Sequence, residues 1–154
     1  MTPAELQSTL IGLLPAAVPG IEAAEPWSAR PYGLAVTARD AGTVFWMLTG
    51  ASNTALAAAD GEHLAEQPAP DPPGGGKAAV AEIEQALLTA LAASSEDTVA
   101  RAERYSTRAT PPGFRYGLTV DCRDGWRLFA TAVGTARCGE KLADHWHYKP
   151  DETV

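Results

Sequence analysis

The chain has 154 residues, of which 45% are hydrophobic and 20% charged, and this composition excludes disorder along its whole length. A single fold of this length removes about 70% of its unfolded surface from water, so its stability requires neither a disulfide framework nor a metal. The formal net charge of -7 excludes a protein whose main partner is a nucleic-acid backbone, because that affinity comes from Lys and Arg.

The sequence also bears on localisation. No run approaches 18 apolar residues and no basic residue precedes Arg30, which predicts neither a membrane span nor a secretory signal. We therefore expect a cytoplasmic protein without a membrane partner, exported only if a signal has been removed. Cys122 and Cys138 are too few for a disulfide framework in a chain this long.

The first predicted element is a helix close to the N-terminus. Thr2 can cap it, Pro3 occupies a first turn that tolerates proline, and Glu5 suits the positive end of the helix dipole. Its apolar face is formed by Leu6, Leu10, Leu13 and Leu14. We expect the helix to end at Pro15, because proline lacks the amide hydrogen that would continue it.

A hairpin follows, preceded by a strand near Ile21–Ser28. Leu34, Val36 and Ala38 share one side of a strand over 33–38, and Val44, Trp46 and Leu48 share one side of a strand over 44–48. The chain is expected to turn between them at Asp40-Ala41-Gly42. The blocks 61–66 and 139–144 are expected to form a further strand after each hairpin.

A linker and a second helix come next. Residues 67–77 contain four prolines and three glycines, a composition typical of an exposed connection. Helical spacing then predicts an apolar stripe formed by Ala79, Val80, Ile83, Leu87, Leu88 and Leu91. Glu82, Glu84 and Gln85 are expected to lie outside that stripe.

The last part of the chain is predicted to repeat the strand and the hairpin. A strand is expected near Val99–Arg108, with a serine-capped helix from Glu96 to Tyr105 as the alternative. The hairpin centres on Asp124-Gly125, a dipeptide that favours a two-residue type I′ turn. The phase of the strand places Cys122 on the core side, where a thiol behaves as a small, slowly reacting hydrophobic group.

Two segments of the chain resemble each other. The pattern Y-G-L-x-V-x-x-R-D occurs at 32–40 and again at 116–124, and the offset of 84 gives eight identities over the twenty positions that start at Tyr32. Residues 61–66 match 139–144 at an offset of 78. Only two copies exist, so we interpret the chain as one ancestral unit that has been duplicated and fused.

These elements predict an α+β fold built from two α-β-β-β units. The first unit covers 1–66, the second covers 78–154, and the linker 67–77 joins them. Each unit alone is too small to bury a stable core, so we expect the two to form one compact domain. The two antiparallel-sheet halves are expected to be related by a pseudo-two-fold axis, with both helices on one face.

A groove between the halves is the predicted ligand site. The pairs Arg39-Asp40 and Arg123-Asp124 occupy equivalent hairpin tips, where a polar pair either shapes the turn or lines a shared groove. Tryptophans in both halves can supply apolar walls, unless they are core residues. The candidate groove residues are Arg39, Arg123, Trp46, Trp126, Glu62 and Glu140.

Metal-type ligands gather near the C-terminus. His145 and His147 share a side if this segment is a strand, and Cys138 and Glu140 lie upstream. The spacing matches no established zinc pattern, and a solvated tail explains it equally well. No motif of the Gly-x-Ser-x-Gly type occurs, so no catalytic residue and no cofactor are predicted.

Three functions are compatible with these sequence features. Because no catalytic constellation is complete, the leading hypothesis is a non-enzymatic binding module that holds a protein partner, as immunity proteins and secretion chaperones do. The alternative is a small-molecule or effector-binding domain with its ligand in the cleft between the repeats. The third is a metal-assisted enzyme that uses His145, His147 and Glu140.

Overall fold

The computed structural model of the chain describes residues 1–52, 79–94, 98–109 and 113–140. These residues confirm the α+β class, with two helices and six strands. In chain order the elements are α1 (Pro3–Ala17), β1 (Ile21–Trp27), β2 (Gly33–Ala38), β3 (Thr43–Ser52), α2 (Val80–Ala93), β4 (Val99–Arg104), β5 (Gly117–Cys122) and β6 (Trp126–Ala136). The predicted linker 67–77 and the block 61–66 lie outside the described residues, as does most of 139–144.

The six strands form one antiparallel sheet in the order β1-β2-β3-β6-β5-β4. The long central strands β3 and β6 pair with each other over their whole length, from Thr43 opposite Ala136 to Ser52 opposite Trp126. The predicted strand near Val99 is confirmed, and the alternative helix from Glu96 is wrong. The buried Val99 pairs with β5, and this tertiary pairing outweighs the local helix signal.

The hairpins β2–β3 and β5–β6 have matching registers. Leu34 lies opposite Trp46 in the first, and Leu118 lies opposite Ala130 in the second. Leu34 and Leu118 are both fully buried. The edge strands also match, because β1 and β4 each carry one register irregularity near their start.

Both helices pack on one face of this sheet. A single core cluster combines apolar residues of α1 and α2 with every second residue of the central strands. The strand residues in this cluster include Leu34, Val36, Val44, Trp46, Leu48, Leu118, Val120, Leu128 and Ala130. Among the described residues, no helix is long and apolar enough to cross a membrane.

Helix α1 begins as predicted but ends later. Thr2 and Glu5 form a capping box, in which the Thr2 N–H donates to the Glu5 carboxylate at 2.7 Å. Pro15 lies inside the helix, so the expected end at Pro15 is wrong, and α1 continues to Ala17. A proline in the last turn removes one intrahelical hydrogen bond, and Val18 still donates to the Leu14 carbonyl at 3.1 Å.

The β5–β6 turn differs from the predicted type I′ turn. Gly125 has a φ of +86°, while Asp124 does not have a positive φ. The Gly125 N–H donates to the Cys122 carbonyl at 3.0 Å, so Arg123 and Asp124 are the central residues of the turn. The single left-handed position is taken by glycine, the residue that adopts it without strain.

The structure confirms that Cys122 is buried, whereas Cys138 is exposed. Burial raises the pKa of the Cys122 thiol by removing solvent from its charged form. We predict that a thiol reagent modifies Cys138 first and Cys122 only when the protein unfolds.

The same pKa shift predicts a loss of stability at alkaline pH. The unfolded chain ionises Cys122 at a lower pH than the folded chain does, so this stabilisation is complete below the ordinary thiol pKa and is lost as the pH rises through the folded value. We expect the free energy of unfolding, measured in urea between about pH 8 and 10, to fall less steeply with pH for Cys122→Ala than for the wild type. Equal slopes for the two proteins would contradict the assignment, and Cys138→Ala is the control.

Candidate functional site

The candidate site is the sheet face opposite the helices, which we call the helix-free face. It is formed by the strand residues that alternate with the core residues, and the described residues place no helix on it. Its central members are Trp27, Ala35, Phe45, Met47, Thr49, Phe129 and Thr131. Most of these side chains are partly exposed, so the face combines an apolar character with access from outside.

One row of residues crosses the helix-free face perpendicular to the strands. The registers align Trp27, Gly33, Met47 and Thr131 with Gly117. An added Cβ at Gly33 would meet the Trp27 ring. At this position an aromatic ring occupies the space that a side chain at the glycine would take.

The opposite end of this row has the same construction. An added Cβ at Gly117 would come within 2.6 Å of the Tyr105 ring. The Tyr105 N–H donates to the Gly117 carbonyl at 2.9 Å, which fixes the ring beside the glycine. An aromatic ring thus covers a glycine on each side of Met47 and Thr131.

An arginine stacks on each of these two rings. The Arg30 guanidinium lies 5.8 Å from the centre of the Trp27 ring, and the Arg108 guanidinium lies 4.6 Å from that of Tyr105. In both cases the arginine follows the aromatic residue by three positions. The backbone N–H of the arginine donates to the backbone carbonyl of the aromatic residue. The stacks place a positive charge near both ends of the row.

The part of the helix-free face formed by β1, β2 and β3 contains an aromatic pair. Trp27 and Phe45 pack with ring centroids 5.1 Å apart at an angle of 54°. Tyr32, in the β1–β2 turn, is 46% exposed and has a φ of +55°, a left-handed conformation that is unfavourable for an aromatic residue. Strain of this kind is concentrated at functional sites, where surrounding structure maintains it.

The part of the face formed by β4, β5 and the start of β6 is more polar, because two ion pairs lie on it. Arg127 binds the Asp121 carboxylate through two hydrogen bonds, of 2.6 and 3.0 Å, and this pairing raises the pKa of the arginine. Arg108 donates to the Glu103 carboxylate at 2.9 Å and to the Thr119 hydroxyl at 3.1 Å. The apolar area is therefore centred on β2, β3 and β6 and is bordered by charge on the β4 side.

A buried carboxylate fixes the segment that holds Tyr105. Glu84 is 0% exposed, so its expected position outside the apolar stripe of α2 is wrong. Its carboxylate accepts from the backbone N–H groups of Tyr105, Ser106 and Gly117, the last at 2.7 Å. Arg104 completes the arrangement through an ion pair of 2.9 Å, so the burial of Glu84 is compensated by its donors.

The neighbouring Gln85 is also buried, which again differs from the expected position. Its side-chain oxygen accepts from Arg104 at 2.6 Å, and the same guanidinium donates to the Ala81 carbonyl at 3.0 Å. Arg104 thereby joins β4 to one side of α2. The groups that donate to Glu84 and Gln85 lie on β4 and β5, far from α2 in sequence, so the helix sequence contains no periodic signal for them.

A pocket of about 400 Å³ lies beside this cluster. Its lining consists of Ala81, Arg104, Tyr105, Ser106, Thr107, Arg115 and Tyr116. The polar side chains of this lining already interact within the protein: Ser106 with Glu84, Thr107 with the Arg104 carbonyl, and Arg115 with the Tyr116 ring. This concavity therefore reflects the structural network of Glu84 and does not present a set of groups prepared for a ligand.

The structure separates the two arginines of the predicted groove. Arg39 lies in the β2–β3 turn and Arg123 in the β5–β6 turn. Because β3 and β6 are antiparallel, these turns are at opposite ends of the central pair, roughly 30 Å apart for strands of this length. A single groove that contains both arginines is therefore not formed.

The other predicted groove residues that the structure describes also do not meet in one groove. Trp46 is fully buried in the core under the helices, and Trp126 packs against the same core. Glu140 is exposed, and its carboxylate accepts from the Arg137 N–H at 3.1 Å in the turn after β6. Glu62 lies outside the described residues.

The metal hypothesis involves residues that the structure describes only in part. Cys138 is exposed, whereas His145 and His147 lie outside the described residues. Within the described residues no group of three or more metal-type ligands occurs.

Sequence reasoning missed the helix-free face, although its signal is present. Residues 44–48 are all apolar, so β3 is apolar on both faces and not only on the side of Trp46. The alternation of the hairpin predicts one core face only and gives Phe45 and Met47 no place in it. Uninterrupted apolar runs are typical of strands covered on both sides.

No family model, curated protein or solved structure matches the chain.

The buried carboxylate generates a stability prediction. Glu84→Gln should destabilise the protein by about 3 kcal/mol, because it leaves Arg104 without its charge partner and, with the amide oxygen kept on the three backbone N–H groups, turns an amide NH₂ towards the Arg104 and Ser106 donors. Urea unfolding followed by circular dichroism measures the change. Glu82→Gln in the first turn of the same helix is the matched control, with an expected loss of about 1 kcal/mol or less. Equal losses for the two variants would contradict the structural role of Glu84.

Proposed function

We propose that the chain is a non-enzymatic binding module that holds a protein partner on its helix-free face. The observation that carries this proposal is the partly exposed apolar area on β2, β3 and β6, at the centre of the sheet. Aromatic residues, Met and Arg are the side chains enriched in protein interfaces, and here Trp27, Phe45, Met47 and Arg30 lie together.

The shape of the face favours a protein over a small molecule. Small ligands bind in concave sites that enclose most of their surface. Along the row from Trp27 to Tyr105 a ring occupies the space beside each of the two glycines, so neither glycine leaves a gap. An apolar centre with a charged border is the usual composition of a protein-docking surface. Immunity proteins and secretion chaperones belong to this functional class.

We also propose that the two halves descend from one α-β-β-β unit and are related by a pseudo-two-fold axis. All five pairs of the first hairpin correspond, at the offset of 84, to the five pairs of the second. The axis would pass between Met47 and Thr131, which lie opposite each other and are equivalent at the same offset. The stacks of Arg30 and Arg108 support the same relation.

The contacts from helix to sheet add independent support. The Gln7 side chain in α1 donates to the Gly33 carbonyl at 2.6 Å. Glu84 in α2 accepts from the Gly117 N–H at 2.7 Å. Gly33 and Gly117 are equivalent in the repeat, so each helix reaches the same sheet position through a polar side chain. Under this relation Phe45 and Phe129 lie symmetrically about the centre of the face.

Site-directed photo-crosslinking in cells tests the docking surface. A photoreactive residue at Thr49, exposed on the helix-free face, should give protein adducts, whereas one at Ser8, exposed on α1, should not. The Thr49 adducts should disappear when Phe45→Lys is added, because a charge then interrupts the apolar area. The captured protein must also bind the purified chain. Adducts that form only from Ser8, or that persist with Phe45→Lys, would overturn the proposal.

A further inference from the structure

We infer that Tyr32 is the anchor residue of the proposed docking surface and that its ring enters an apolar pocket of the protein partner. This inference rests on the proposed function, because it names the residue that determines which partner the helix-free face accepts. Three observations carry it: the exposure of the ring, the conformation of its backbone, and the different environment of the matching tyrosine in the second half.

The Tyr32 ring is accessible from outside. Among the described residues, Tyr32 is the one large hydrophobic side chain that is exposed, with 46% of its surface accessible. The neighbouring aromatic residues Trp27 and Phe45 pack against each other and are partly buried. Tyr32 is therefore the aromatic side chain at this end of the sheet that can reach into another protein.

The backbone at Tyr32 has a conformation that its side chain disfavours. Pro31 and Tyr32 are the central residues of a turn, which the Gly33 N–H closes by donating to the Arg30 carbonyl at 3.0 Å. Proline at the first central position and a positive φ at the second are typical of a type II turn, where the second position favours Gly or Asn. Tyr32 has a φ of +55° at that position. The sequence thus places tyrosine where glycine would be free of strain.

The second half contains the matching tyrosine in a different environment. Tyr116 lies 84 positions after Tyr32 and also precedes a glycine. It is buried in the core cluster, and its φ is not positive. Burial explains why position 116 carries a tyrosine. At position 32 the ring stays exposed on a strained backbone, so a contact outside the chain is needed to explain it.

Tyr32 lies close to the apolar area of the helix-free face. Gly33 pairs with Met47, so Tyr32, one position earlier, is level with Leu48 on β3. Strands β2 and β3 are neighbours in the sheet, and neighbouring strands are about 4.8 Å apart. A protein that packs on Phe45 and Met47 therefore comes within reach of the Tyr32 ring.

The side chain defines the chemistry of the partner's pocket. Tyrosine combines a large apolar ring with a hydroxyl group that forms a hydrogen bond, and it is enriched among the residues that dominate binding energies. Pro31 and the Gly33 hydrogen bond fix the turn before binding, so little conformational entropy is lost when the ring enters a pocket. We expect a pocket with apolar walls and one hydrogen-bond acceptor for the hydroxyl.

Photo-crosslinking in cells tests this anchor. A benzophenone amino acid at position 32 should capture the same protein as the photoreactive residue at Thr49. With the purified pair, Tyr32→Asn should raise the dissociation constant at least about tenfold, because the ring is lost. Tyr32→Phe should raise it about fivefold or less, because it removes only one hydrogen bond.

Asp40 provides the matched control for the backbone conformation. It is exposed and has a φ of +56°, but it lies in the β2–β3 turn at the other end of the hairpin. Asp40→Asn should leave the dissociation constant unchanged. An equal loss of binding in Asp40→Asn and Tyr32→Asn would overturn the inference, because the effect would not be specific to Tyr32.

A stability comparison tests the strain without any partner. Tyr32→Ala and Tyr32→Asn remove the same ring, but Asn tolerates a positive φ better than Ala does. The urea midpoint of Tyr32→Asn should therefore lie about 0.3 M above that of Tyr32→Ala. Arg39, exposed and without a positive φ, is the control position, where the same two substitutions should differ less. Equal midpoints for the two Tyr32 variants would overturn the strain and the inference drawn from it.

The outcomes distinguish this inference from the proposed function. If Tyr32→Asn remains folded by circular dichroism and still binds the captured protein with the wild-type dissociation constant, the anchor is wrong and the binding module stands. If neither the probe at Thr49 nor the probe at position 32 captures a protein that binds the purified chain, the proposed function and the anchor are both overturned.

Discussion

The pairing of β3 with β6 is the constraint on which the rest of this structure depends. Each half has one described helix and three strands, too little material to enclose a core by itself. The ten register pairs between Thr43 and Ser52 join the halves into one sheet. Both helices then cover the same face of that sheet and also contact each other, so one core serves both halves. The opposite face receives no helix among the described residues.

The two halves attach their helix to the sheet through different side chains. Gln7 uses a neutral amide at its position, whereas Glu84 uses a carboxylate whose burial requires Arg104 and three backbone donors. A buried charge of this kind tolerates few alternative arrangements, because any lost donor leaves the carboxylate uncompensated. Through this network the β4–β5 segment, and with it Tyr105, is attached to α2 by hydrogen bonds to the Glu84 carboxylate.

The sequence predicted those features that depend on local periodicity. The alternation around Val36 and Val120 located both hairpins, and the leucine spacing located both helices. The burial of Glu84 was not predictable, because its donors lie some twenty to thirty residues away. The separation of Arg39 from Arg123 depends likewise on the antiparallel pairing of β3 and β6, which no local pattern encodes. Equivalence in a repeat predicts similar surroundings; it does not predict proximity.

The same residues explain why one face of the sheet is unusual. An antiparallel sheet with one face on a core and the other in water normally alternates apolar with polar residues. In β3 the residues from Val44 to Leu48 are apolar without interruption, and β6 adds Phe129 on the same helix-free side. Such a pattern is typical of strands covered by other layers on both faces. The helices provide one of these layers, and a protein surface packed on Phe45 and Met47 would provide the other.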